Sequence, residues 1–109
     1  MKTIHKYPLE FSGAELVVNL PVGAQFLTIQ FQHDILCLWA LVDVGAATEP
    51  TTLRLFGTGH HVELKPDAQY LATVQQYGGT FVWHIFKDGK SQEEITQDDI
   101  HAMDPRTWP

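Results

Sequence analysis

The chain has 109 residues, of which 44% are apolar and 18% are charged, and its formal net charge is −6. This composition predicts one globular domain with a hydrophobic core and excludes a wholly disordered chain. The acidic balance argues against a protein that binds nucleic acid through the phosphate backbone, because that function requires a basic face.

Two strands are predicted near the N-terminus, over residues 3–11 and 14–20. The first contains Pro8, which has no N–H to donate to a neighbouring strand and is therefore typical of a sheet edge. In the second, aliphatic side chains from Leu16 to Leu20 recur at every other position, which is the period of a strand with one buried face.

The next two strands, over residues 25–32 and 35–42, form a predicted hairpin that turns at His33 and Asp34. Polar and apolar side chains alternate along the first strand, so one of its faces is expected to be buried. The side chains predicted to face the core are those of Leu27, Ile29 and Phe31. The second strand is apolar on both faces, which predicts a central position in the sheet.

Three further strands are predicted over residues 51–57, 69–76 and 80–86. In the middle one, Tyr70 is expected to share a face with Ala72 and Val74 because the side-chain period of a strand is two. The last two strands are separated by Tyr77, Gly78 and Gly79. Since glycine tolerates positive φ, this segment predicts a tight hairpin loop.

Seven short strands without a convincing helix predict an all-β domain over residues 1–86, either a small sandwich or a small barrel. Residues 87–109 are acidic and poor in apolar side chains, and they are predicted to form a C-terminal tail with a short helix near residues 96–103. Two roles are open for this tail. It is either a frayed acidic end or an arm that docks Met103 and Trp108 onto the body or a neighbouring subunit.

Cys37 is the one cysteine of the chain and lies in an apolar run, so it is interpreted as a small buried residue and not as a reactive thiol. Trp39 in the same run is predicted to belong to the core. A single thiol in a chain without a secretory signal predicts a reducing, intracellular setting. No apolar run reaches the roughly 20 residues that cross a bilayer, so we expect a soluble protein without a membrane partner.

Three stretches of the sequence carry a resemblance to a known family. They are MKTIHKYPLE at residues 1–10, CLWALVD at residues 37–43, and FGTGH at residues 56–60 with VWH at residues 82–84. Together they resemble a family of short, functionally uncharacterised proteins encoded largely by bacteriophages and prophage regions. The resemblance covers roughly residues 1–86 and implies the cytoplasm of a bacterial host cell as the setting. It implies no catalytic residues.

The segment around Thr58 combines two glycines with two histidines. The predicted ligand-binding residues are Gly57, Thr58, Gly59 and His60. Glycines let a backbone approach a ligand closely, and the hydroxyl, the imidazole and the local N–H groups together suit an anion such as phosphate. The competing interpretation is a strand end followed by a glycine-rich turn, because the segment matches neither a P-loop nor a dinucleotide-binding motif.

The pair His60 and His61, followed by Glu63, raises the question of a metal. In an extended chain His61 and Glu63 share a face and His60 points away from them. No motif supplies a third ligand at a required spacing, so no metal site is predicted. Since motifs for nucleophilic or acid–base catalysis are also missing, we expect a non-enzymatic protein without a cofactor, and His84 is interpreted as an ordinary histidine.

The function expected from these observations and from the resemblance is that of a phage or prophage accessory protein. It would bind a host protein or sequester a small anionic, nucleotide-like ligand, for example against host defence. The small size and the strands with two apolar faces also predict a homo-oligomer. The alternative is a minor virion or assembly protein, in which the same domain has a purely structural role.

Overall fold

The computed structural model describes residues 1–89, which form seven strands. The strands are β1 (Lys2–Leu9), β2 (Glu15–Pro21), β3 (Gln25–Gln32), β4 (Ile35–Asp43), β5 (Thr48–Gly57), β6 (Gln69–Gln76) and β7 (Phe81–Lys87). They make two antiparallel sheets, a three-stranded one in the order β1-β4-β3 and a four-stranded one in the order β2-β5-β7-β6. The all-β fold class is confirmed. The short helix predicted over residues 96–103, and any docking of Met103 and Trp108, lie outside the described residues.

The strand predicted to be central, β4, lies between β1 and β3, and β1 with Pro8 lies at the predicted edge. The hairpin between β3 and β4 turns at His33 and Asp34, whose φ angles are 53° and 66°. Two successive residues at positive φ are the mark of the type I′ turn, whose twist matches that of the flanking strands. The hairpin between β6 and β7 turns at Tyr77–Gly79, again as predicted.

The core lies between the two sheets. Its buried side chains are Leu9, Leu16, Leu20, Ile29, Leu36, Leu38, Leu53, Leu55, Val74 and Ile85. They come from all seven strands, and together they bury one face of each sheet against the other. This arrangement is a β-sandwich, the first of the two architectures that the strand pattern predicted.

The prediction that Trp39 belongs to the core is wrong. Leu38 and Ala40 are both fully buried and face the other sheet, so the alternation along β4 places Trp39 on the outer face, where it is half-buried. Cys37 shares this outer face but is buried, as predicted. Lys6 on β1 donates from Nζ to Oε1 of Gln32 on β3 at 2.8 Å, and this bridge crosses β4 near the cysteine.

Two β-bulges change the predicted faces of the strands. In β3 the register shifts between Phe26 and Thr28, so Leu27 is half exposed and Phe26 packs against the core in its place. In β6 the register shifts between Tyr70 and Ala72. The prediction that Leu27 faces the core is therefore wrong, and so is the prediction that Tyr70 shares a face with Ala72 and Val74. In both strands a bulge adds one residue and breaks the strict period of two.

Candidate functional site

The predicted ligand segment begins at the last residue of β5 and forms a β-turn. The N–H of His60 donates to the carbonyl oxygen of Gly57 at 3.1 Å, which closes the turn around Thr58 and Gly59. Gly59 has a φ of 89°, as the third residue of a type II turn requires. The turn geometry thus explains why a glycine stands at residue 59.

Gly57 has a different reason to be a glycine. The imidazole of His60 folds back over its α-carbon, and a Cβ atom at residue 57 would lie 2.8 Å from Cε1 of that ring. Gly57 pairs with Trp83, which packs against the core side of β7. The space that the missing side chain leaves is therefore occupied by His60, on the side of the strand that faces the core.

The hydroxyl of Thr58 lies on the opposite side, where it meets His84 of β7. Thr58 Oγ1 is 2.7 Å from His84 Nε2, and Thr73 Oγ1 of β6 is 3.0 Å from His84 Nδ1. Tyr70 Oη is 2.7 Å from the same Thr73 oxygen. These four side chains form a continuous chain of hydrogen bonds on the outer face of the four-stranded sheet, which we call the hydroxyl–imidazole row.

Aromatic rings border the row on the same face. Phe86 makes edge-to-face contacts with Phe56 and with Tyr70, at ring-centroid distances of 5.9 Å and 5.5 Å. Their order follows the register, since Phe56 lies opposite His84 and Phe86 lies opposite both Arg54 and Tyr70. Aromatic pairs in this geometry are favourable, so they hold the phenol of Tyr70 beside Thr73.

Arg54 of β5 lies opposite Phe86 on this face, and its guanidinium is bound to acidic side chains. Its guanidinium donates to both carboxylate oxygens of Asp88, at 2.8 Å and 2.9 Å, and to Glu15 of β2 at 3.2 Å. The bidentate bond from Arg54 holds the pKa of Asp88 below its usual value, and the same bond raises the pKa of Arg54. Lys65 Nζ also lies 3.7 Å from Asp88 Oδ2, so two cationic and two carboxylate side chains pair with one another here and leave no net positive charge among them for an anion.

Of the four predicted ligand residues, the structure therefore brings only Thr58 to His84. None of the four lines a cleft of about 580 Å³ that is bordered by residues of β2, β3, β5, β6 and β7. The polar side chains around that cleft include Lys65, Lys87 and Glu49. The ligand site at residues 57–60 stays a prediction. Of its polar side chains, the hydroxyl of Thr58 lies on the outer face of the sheet, where it contacts His84.

His61 and Glu63 do come together, with Nε2 and Oε2 at 3.2 Å, and both side chains are almost fully exposed. Within residues 1–89, no group of three or more histidine, cysteine or carboxylate side chains is placed to hold a metal ion. The same part of the chain contains no helix of the length and apolarity that a membrane crossing requires.

Sequence reasoning missed three members of the row, His84, Thr73 and Tyr70. The alternation along β7 gave a usable signal, because it places His84 on the face opposite Trp83 and Ile85, away from the core. For Tyr70 there was no such signal. Only the bulge in β6 brings it to the same face as Thr73.

Residues 1–96 match the model of a domain of unknown function, DUF7352, and the chain belongs to this family. Comparisons with curated proteins and with solved structures found no match. The matched range includes all seven strands, so the turn at residues 57–60 and the hydroxyl–imidazole row are both parts of this domain.

Proposed function

We propose that this member of the DUF7352 family is a non-enzymatic binding protein whose hydroxyl–imidazole row takes a small anionic ligand when His84 is protonated. The observation that carries the proposal is that both ring nitrogens of His84 are hydrogen-bonded to hydroxyl groups, those of Thr58 and Thr73. A hydroxyl can donate or accept, so both protonation states of the ring can be accommodated, but the two states leave different groups free.

The difference follows from counting protons. A neutral imidazole has one N–H, so one of the two threonine hydroxyls must donate a hydrogen bond to the unprotonated ring nitrogen of His84. An imidazolium has two N–H groups and no acceptor, so Thr58 and Thr73 must both accept. The hydroxyl protons then point away from the ring, and the O–H of Thr73 donates its hydrogen bond to Oη of Tyr70, whose own O–H turns outward. Protonation thus adds a positive charge and frees an outward donor.

An anion is the ligand that this change favours. Thr58 contacts the positive ring directly and Tyr70 is linked to it through Thr73, so each end of the row presents a hydrogen-bond donor near a positive charge, a combination that suits phosphate oxygens. Arg54 already pairs with Glu15 and Asp88, and Lys65 pairs with Asp88 as well, so these two positive and two negative charges offset one another. The charge on His84 therefore decides whether an anion is attracted.

Binding is favoured over catalysis by the position of the row. The 2.7 Å contact between Thr58 and His84 has the length of a nucleophile–base pair. However, the row lies on an exposed sheet face, whereas an acyl- or phosphoryl-transfer site needs a cleft that excludes water and presents further donors to the developing charge. On the basis of the resemblance to phage and prophage proteins, we propose that the protein acts in the cytoplasm of a phage-infected bacterium.

The test is calorimetry with sulfate and with a phosphodiester-linked dinucleotide, since the charges of both probes stay constant between about pH 6 and pH 8, where imidazoles ordinarily titrate. We expect tighter binding at the lower pH, by up to about tenfold per pH unit for one linked proton. His84→Gln keeps the size and a donor but cannot be protonated, and it should bind weakly at both pH values. His61→Ala, which alters an exposed histidine outside the row, is the matched control and should bind as the wild type does.

If the probes bind His84→Gln and the wild type equally, the ligand site lies elsewhere. If neither probe binds at either pH, a second candidate function is favoured over anion binding. That candidate is a virion or assembly component, and it is favoured by the outer face of the three-stranded sheet, over which no element of residues 1–89 packs. Half-buried Trp39 lies there beside the exposed side chains of Ile4, Leu27 and Ile35.

A further inference from the structure

We infer that two copies of this chain pair through the open edge of β2 and so join their four-stranded sheets into one continuous sheet of eight strands. The inference concerns an assembly surface, and it stands independently of any ligand at the hydroxyl–imidazole row. It rests on which backbone groups of β2 are free, on how the other three sheet edges are protected, and on the symmetry of the β2 sequence.

The free groups follow from the pairing of β2 with β5. The N–H of Leu55 donates to the carbonyl of Ala14 at 2.9 Å, just before β2 begins. Because the direction of hydrogen bonding alternates along an antiparallel strand, the even-numbered residues of β2 bond to β5 and the odd-numbered residues point away from it. The N–H and C=O groups of Glu15, Val17 and Asn19 therefore line the open edge, and no strand within residues 1–89 pairs with them.

The other three edges carry features that discourage pairing. β1 contains Pro8, which lacks an N–H, and two lysines, Lys2 and Lys6, on the same side of the strand. β3 and β6 each contain a bulge, at Leu27 and at Leu71, which twists the edge away from a flat partner. The ladder of β2 has no register shift, and between its first and last residues it has neither a charge nor a proline.

The sequence of β2 also allows two copies of this strand to pair with each other. An antiparallel pair centred on Val17 places Val17 opposite its own copy and Glu15 opposite Asn19, so that each strand donates three backbone N–H groups to the other. The side chain of Val17 is 57% exposed in one chain, and this pairing covers it with a second valine. No like charges face each other in this register. A two-fold axis perpendicular to the sheet generates such a pair, which is the closed symmetry most common among dimers.

Sedimentation of the full chain at micromolar concentrations tests the inference. We expect a species with twice the 12.3 kDa mass of one chain. Val17→Lys places two lysines opposite each other at the centre of the pair and should raise the dimer dissociation constant about tenfold or more. Ile4→Lys is the matched control, because Ile4 is also 57% exposed but lies on the protected edge strand β1. It should leave the dimer intact.

A cross-link gives a second measurement that does not depend on weakening the dimer. Under mild oxidation Val17→Cys should form a disulfide between two chains, and Ile4→Cys should not, since only residue 17 meets its own copy. A wild-type chain that stays monomeric at all concentrations would overturn the inference. So would a dimer that survives Val17→Lys, or one that Ile4→Lys disrupts, because either result places the interface on another surface.

Discussion

The imidazole of His60 lies against the α-carbon of Gly57, in the space that a side chain at residue 57 would need. This contact, together with the positive φ of Gly59, explains the glycines of the Gly57–His60 segment by the geometry of the chain itself. The hydroxyl of Thr58 is the group of this segment that takes part in the candidate site, because it is hydrogen-bonded to His84.

Gly57→Ala should therefore destabilise the fold through His60 and not through the backbone. A Cβ atom would come within 3.2 Å of three ring atoms, but His60 is exposed and its ring can turn into solvent, so we expect a loss of only about 0.5 kcal/mol in unfolding free energy. In the His60→Ala background the same change should cost nothing or even stabilise, because the unfolded chain loses freedom. Urea denaturation of the four proteins checks this, and equal costs in both backgrounds would show that the contact is not responsible.

The neighbours Leu38 and Trp39 should respond very differently to truncation. Leu38 is fully buried between the sheets, so Leu38→Ala should cost about 2–5 kcal/mol through the cavity that it leaves. Trp39 is half-buried on the outer face, so Trp39→Ala should cost only about 1–2 kcal/mol despite the larger side chain. Unfolding free energies compare the two variants, and a larger loss for Trp39→Ala would contradict the assignment of the faces.

The turn between β3 and β4 offers a stabilising substitution. His33 and Asp34 both have positive φ, which costs a residue with a Cβ atom roughly 1 kcal/mol and costs glycine little. Asp34→Gly should therefore raise the unfolding free energy by about 0.5–1 kcal/mol, whereas Asp34→Val should lower it. If thermal denaturation ranks the two variants in the opposite order, the turn is not of type I′.

The bond between Arg54 and Asp88 predicts how stability depends on acid. The folded state lowers the pKa of the Asp88 carboxyl below its ordinary value of 3.8. The ionised carboxylate therefore contributes its full stabilisation to the unfolding free energy above that ordinary pKa, and this contribution is lost as the pH falls through the lower pKa of the folded state. Asp88→Asn should cost roughly 1.5–3 kcal/mol near neutral pH. It should also lose less stability than the wild type on acidification. The pKa of Asp43 is lowered too, by its bond from the Gly45 N–H, but this group is common to both proteins. Parallel acid-unfolding curves would contradict the assignment.

The sequence predicted the fold well because period-two alternation is a local signal that strands such as β3 and β7 carry, and a continuous apolar run marked the central strand β4. The errors have local causes as well. The bulge at Leu71 moved Tyr70 to the outer face, and neither propensity nor hydrophobicity marks such an insertion. The candidate site was found only in part, since His84 contacts both Thr58 and Thr73, and these three residues come from separate segments of the chain. The pairing register that brings them together cannot be read from one sequence.

The central claim is that anion binding takes up a proton at His84, and calorimetry in buffers of different ionisation enthalpy measures this directly. Sulfate is the probe, because its own charge does not change in the range of about pH 7 to 8, where an imidazole is ordinarily more neutral than charged. We expect the wild type to take up protons, at most about one for each sulfate bound, because binding is linked to one protonation. We expect no uptake for His84→Gln. Binding of sulfate without proton uptake, or with the same uptake in His84→Gln, would contradict the claim.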